Sequence, residues 1–184
     1  MTGPADPIRF QGTLLRPATP PDASWCFLLL PAAASAALPT RGLVSVDGQF
    51  AGHPFQATLQ PDGRGGHWLQ VEETLRAAAA VEVGTTVALE IAPVAVEPEP
   101  AVPDDLARAL AAHPPARAAW DTLTAVARRD WIFWIGSGKQ VQTRVKRIAS
   151  TCDMLAAGKR RVCCFDRSGM YSKAFAAPQA QCAG

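Results

Sequence analysis

Long apolar runs are missing from this 184-residue chain. No stretch approaches the roughly 18 residues that a helix needs to cross a bilayer. The longest candidate, residues 25–38, is interrupted by Pro31 and Ser35. The opening MTGPADPIRF has neither a cationic start nor an apolar core, which argues against a secretory leader and sets the expectation of a cytoplasmic protein. In that compartment the five cysteines are expected as reduced thiols. Catalytic signatures are equally scarce. No G-x-S-x-G occurs. Gly136-Ser137-Gly138-Lys139 lacks the earlier glycine and the following hydroxyl residue of a phosphate loop, because Phe133 and Gln140 stand at those places. His53 and His67 have no third ligand at a recognisable spacing, and Cys163-Cys164 is not a metal-binding spacing. No metal and no other cofactor is therefore expected.

What is present is a core-forming composition with its charge unevenly spread. Hydrophobic residues make up 48% and charged residues 18%, as in globular domains. From residue 128 onward 11 Lys or Arg stand against 3 Asp or Glu, a net of +8. Residues 1–127 carry 7 basic and 13 acidic side chains, a net of −6. The asymmetry bears on partners and solubility rather than on fold.

The front of the chain reads as strands. Residues 8–15 alternate, with Ile8, Phe10, Gly12 and Leu14 on one face. Residues 24–30 are apolar on both faces, which predicts a central strand ended by Pro31. Residues 32–38 read as a short helix or a connector. A strand over 41–46 is followed by Asp47-Gly48, a hairpin-turn dipeptide. Alternation resumes over 54–60, Asp62-Gly63 opens a second, glycine-rich turn, and 68–71 returns. Residues 72–80 read as a helix with carboxylates in its first turn, and 85–93 as a last strand. About six strands and one short helix predict a small closed β-barrel over residues 1–95.

Residues 96–103 form a Pro-rich, extended linker. Residues 104–161 then read as a basic bundle of short helices, and 162–184 as a tail, frayed from Pro178. The fold class is thus α+β. Helices are expected over 105–112, over 116–123, from a Thr124 cap to about Ile135, and over about 140–157. Gly136 and Gly138 divide the last two. In the last helix Val141, Val145, Ile148, Cys152 and Leu155 recur at 4, 3, 4, 3; at ~100° per residue they form one narrow stripe. That stripe is expected in the core, with Arg144, Lys146 and Arg147 beside or opposite it.

The pattern Trp134-Ile135, Lys139, Thr143-Arg144, Arg147-Ile148, Leu155, Gly158-Lys159-Arg160 resembles the YdeI/OmpD-associated, bacteriocin-protection family. The stretches RGLVSVDGQF and PDGRGGHWLQV resemble the small β-barrel domain of unknown function that often precedes it. The resemblance spans about residues 8–161. It implies a cytoplasmic bacterial protein tied to envelope or antimicrobial-peptide stress. It carries no agreed catalytic residues, so none is assigned. Members commonly have Ala where this chain has Gly138, which implies nearly continuous third and fourth helices.

Three kinds of function remain open at this point. One is a non-catalytic binding or interaction module. A second is binding of nucleic acid or another anionic ligand through Lys139, Arg144, Lys146, Arg147, Lys159, Arg160 and Arg161, with Trp131 and Trp134 nearby. Its alternatives are a solvated cationic face with buried indoles, and docking of the acidic front on the basic back. The third is a small-molecule or enzymatic site around Arg64, His67 and Arg144, where Arg64 among glycines is placed to meet an anion. Cys163 and Cys164, close to Arg160, Arg161 and Arg167, are candidate redox-sensitive thiols, against a default structural role.

Overall fold

The computed structural model describes residues 6–138, 140–162 and 175–182. These fall into two compact units, one of residues 6–95 with 175–182 and one of residues 96–162.

The first unit is a nearly closed antiparallel barrel. Its elements are β1 (Ile8–Thr13), β2 (Cys26–Leu29), α1 (Ala32–Ala36), β3 (Val44–Phe50), β4 (His53–Pro61), β5 (His67–Val71), α2 (Glu73–Ala78) and β6 (Thr86–Pro93). The strand order is β1-β6-β3-β4-β5-β2. The two ends of the sheet approach each other through a single bridge, Leu15 to Phe27. Alternation sets the inside. Leu14, Val46, Phe50, Leu59, Leu69 and Ile91 are fully or nearly fully buried in one core.

Two expectations change here. Asp47-Gly48 is not a turn but lies within β3, with Asp47 opposite Gln56 and Gly48 opposite Phe55. The hairpin turns instead at Ala51-Gly52, both at positive φ (47° and 82°). Gly48 serves a different need: β6 passes so close that a Cβ there would run into the Glu90 carbonyl. Within residues 24–30, Cys26, Phe27, Leu28 and Leu30 are buried but Leu29 is exposed, and β2 ends the sheet order rather than lying at its centre. Its second face is covered only in part, by aromatic contact, with Phe27 edge-on to Trp68 at 6.2 Å and Trp25 beside Trp68 at 6.3 Å.

The second unit holds α3 (Asp104–Ala111), α4 (Pro114–Asp121), α5 (Ala125–Gly136) and α6 (Val141–Ala156). Pro114 and Pro115 open α4, where the missing N–H groups cost nothing, and Thr124 Oγ1 caps α5 by accepting from Ala127 N–H at 3.2 Å. The glycines do separate α5 from α6, over residues 137–140. A second core gathers Leu106, Leu110, Trp120, Trp131, Ile135, Ile148 and Leu155.

The extended segment before α3 is held rather than free. Glu97 pairs with Arg129 at 3.0 Å and Glu99 with Arg128, both on α5. The tail also departs from expectation. Residues 175–182 are tied to the barrel by backbone hydrogen bonds, and Phe175 is buried. Residues 163–174, whose sequence allows either a hairpin about Arg167-Ser168-Gly169 or an irregular strap, lie outside the described residues, as do 183–184.

Candidate functional site

The family-like residues that are described converge where α3, α5 and α6 meet. Arg144 donates two hydrogen bonds to Asp105 of α3, Nε to Oδ2 at 2.7 Å and Nη2 to Oδ1 at 2.9 Å. This fork holds the Asp105 carboxyl below its usual range and raises Arg144, while burial opposes both. One turn later, Arg147 Nη1 donates to the Trp134 carbonyl and to Ser137 Oγ, the latter at 2.7 Å. Its guanidinium carbon lies 5.0 Å from the centre of the Trp134 ring. Arg147 thus satisfies a carbonyl at the end of α5, where a cation is favoured, and stacks on an indole of the same turn. Trp134 in turn meets Trp131 nearly perpendicularly at 6.2 Å.

This reverses the phase expected for the front of α6. Ile148, Cys152 and Leu155 are buried, but Val141 and Val145 are 80% and 61% exposed. Arg144 and Arg147 are half-buried in their place. The stripe is real; the neighbours that would cover its first two members are lacking among the described residues of this unit, while the arginines find partners across α3 and α5.

The other candidate residues scatter. Arg64 is exposed on the 62–66 loop. The loop is a closed turn built on Asp62, whose Oδ1 accepts from Arg64 N–H at 2.7 Å and from Gly66 N–H at 2.9 Å. His67, three residues on, points into the barrel and is 1% exposed. Its Nε2 lies 3.0 Å from the Gly42 carbonyl and its N–H donates to Ser35 Oγ at 3.1 Å. Nδ1 has no partner among the described residues, and burial pushes the imidazole below its ordinary value. Arg64 and His67 therefore share a hairpin but not a surface. Lys139, Cys163 and Cys164 lie outside the described residues. Cys152 is a core thiol pushed up by burial. Among the described residues no three His, Cys, Asp or Glu side chains gather as metal ligands.

Lys146, Lys159, Arg160 and Arg161 are exposed. Arg160 still donates to Thr122 Oγ1 at 2.9 Å. The indoles do not join them: Trp131 is fully buried, and one face of Trp134 is covered by Arg147. Neither of the two indoles expected beside these cations is exposed. The structural role of Asp105 was missed in the sequence. The sequence offers a carboxylate as N-cap at this helix start; the structure puts Pro103 at the N-cap with no side-chain cap hydrogen bond, and gives Asp105 to Arg144.

An antiparallel barrel followed by a helical unit, its internal cations used as struts, defines an α+β protein of barrel-plus-bundle type. The sequence places it further. Residues 10–91 match the Domain of unknown function (DUF1905) family, and residues 99–158 match the family described as Bacteriocin-protection, YdeI or OmpD-Associated, so the two likenesses follow one another along the chain in that order. No curated protein matches the chain. No described helix is long and apolar enough to cross a membrane.

Proposed function

We propose that this chain is a non-catalytic interaction module of the bacteriocin-protection kind, acting in the bacterial cytoplasm during envelope or antimicrobial-peptide stress. The description of the matching family supports the protective role. The buried free thiols Cys26 and Cys152 fit a reducing compartment.

The observation that carries the binding reading is the division of α6. Its inward arginines are committed to Asp105, Trp134 and Ser137. Its outward side offers Val141 and Val145, exposed and apolar, with the exposed Lys146 next to them. The unit over residues 96–165 carries 11 basic and 7 acidic residues, a net of +4. The complementary partner is an acidic protein surface with an apolar centre.

The test is survival of a strain lacking the gene, challenged with a panel of peptide antibiotics. Reduced survival is expected, with rescue by the intact gene. The pair Val141→Glu and Val145→Glu is expected to lose rescue while the purified protein melts as before. Unchanged survival of the deletion strain overturns the protective role. Full rescue by the double variant overturns the assignment of the face.

A further inference from the structure

The barrel is closed unequally. Neighbouring strands within the order β1-β6-β3-β4-β5-β2 are joined by ladders, but β1 and β2 meet through the Leu15–Phe27 bridge. Leu15 N–H donates to the Phe27 carbonyl at 2.7 Å and Phe27 N–H returns to Leu15 at 2.9 Å. Beyond this bridge residues 16–18 run on briefly before the chain bends and turns over 18–22, leaving the Arg16 carbonyl and the Ala18 N–H for another extended segment.

Residues 175–182 take that place. Ala18 N–H donates to the Gln179 carbonyl at 2.7 Å and Gln181 N–H to the Arg16 carbonyl at 2.9 Å, on either side of an antiparallel Pro17–Ala180 bridge. The Gln181 side chain reaches the Pro21 carbonyl at 3.0 Å. Further back, Ala177 N–H donates to the Asp62 carbonyl at 3.3 Å. There the segment runs against Gly63, whose φ is +79° and where a Cβ would meet the Phe175 carbonyl.

Few side chains of the segment are buried. Phe175 is buried, Ala177 and Pro178 are half-buried, and the remaining five residues of the segment are exposed. None of 175–182 is charged. What the barrel reads is an extended backbone, one aromatic anchor and small or amide side chains behind it. Main-chain pairing with one side-chain anchor is the logic of strand addition.

We propose that the short extended stretch at residues 16–18 and the 62–66 loop form a binding site for extended, uncharged peptides with an aromatic anchor, occupied in cis by residues 175–182. The tethered segment competes at an effective concentration on the order of mM, so a free peptide binds well only when the segment is loosened. The site belongs to the barrel unit, whereas α6 belongs to the helical unit.

The test titrates a fluorescent peptide FAAPQAQ, the sequence of residues 175–181, into the full chain and its variants. Phe175→Asp is expected to raise peptide affinity at least tenfold by releasing the anchor. Gln181→Pro, an exposed position that loses its N–H to Arg16, is expected to raise it at least threefold and decides the matter if Phe175→Asp does not fold. A peptide with Asp in place of its Phe is expected not to bind either variant. Peptide affinity that is unchanged by Gln181→Pro, or binding that ignores the aromatic residue, overturns the proposal.

Discussion

At the scale of single residues, the arginines of α6 are structural before they are anything else. The Arg144–Asp105 fork is only partly shielded, with side chains 31% and 37% exposed, so Arg144→Ala is expected to cost about 1 kcal/mol in chemical denaturation. The pair also sets a pH signature. Asp105 is depressed in the folded state, so its stabilisation is complete above the ordinary carboxylate value near 3.8 and fades as pH falls through the lower folded value. Asp105→Asn is expected to remove that part of the acid sensitivity, read as converging stabilities of variant and parent at low pH. His67 gives a second signature at milder pH. Its folded value lies below 6.5, so its contribution is complete above that and is lost as pH drops from there towards the folded value. His67→Gln is expected to lower stability at pH 8 and to flatten the decline between pH 7 and 5, measured by denaturation at fixed pH. None of these partners was readable in the sequence. Charge and spacing name the arginines, but Asp105 lies 39 residues from Arg144, and only the fold brings them together. His67 reads as a loop-mouth residue because a hairpin register, not composition, decides which way it points.

At the scale of elements, periodicity was a good guide to existence and a poorer one to phase. Alternation located the strands with their inward faces, as with Leu14 on β1's continuation and Val87, Leu89 and Ile91 on β6. The 3.6-residue period located α6 and its Ile148, Cys152 and Leu155 anchors. A stripe shows which residues share a side; it does not show how far a neighbour extends along it. Val141 and Val145 are expected to accept Ser together with a change within about 0.5 kcal/mol, whereas Ile148→Ala is expected to cost about 2–4 kcal/mol by the same thermal melt. Equal losses at both ends would mean that the front of α6 is covered in solution. Turn chemistry misled in a similar way. Asp-Gly favours a tight turn, but Gly48 is demanded by the close passage of β6, and the turn goes to Ala51-Gly52. Gly48→Ala is therefore expected to be worse than Gly52→Ala. The first forces a Cβ on the Glu90 carbonyl; the second meets nothing within 4 Å and bears only the cost of positive φ, about 1 kcal/mol.

At the scale of the whole molecule, the division into barrel and helices follows from where apolar residues can be buried. The barrel core runs from Leu14 to Ile91 and the helical core from Leu106 to Leu155, and no residue belongs to both. The proline-rich stretch marks the change of composition between them: a segment with few apolar side chains adds little to a core, and Val102 near its end is the member that packs against the helical one. The acidic residues of that stretch were less legible in purpose. Glu97 and Glu99 hold it to Arg129 and Arg128, so it belongs energetically to the helices. Stability should accordingly be local. Leu110 is fully buried in the helical core, and Leu110→Ala is expected to remove about 2–5 kcal/mol there. Native-state hydrogen exchange on the full chain reads each unit separately. The expected outcome is loss of protection for the amides of α3, α4 and α6, with those of β3 and β4 unchanged. Leu69→Ala, at 1% exposure in the barrel core, is expected to do the opposite. If either substitution lowers protection in both units alike, the two cores melt as one, and the chain is a single cooperative body rather than two modules in series.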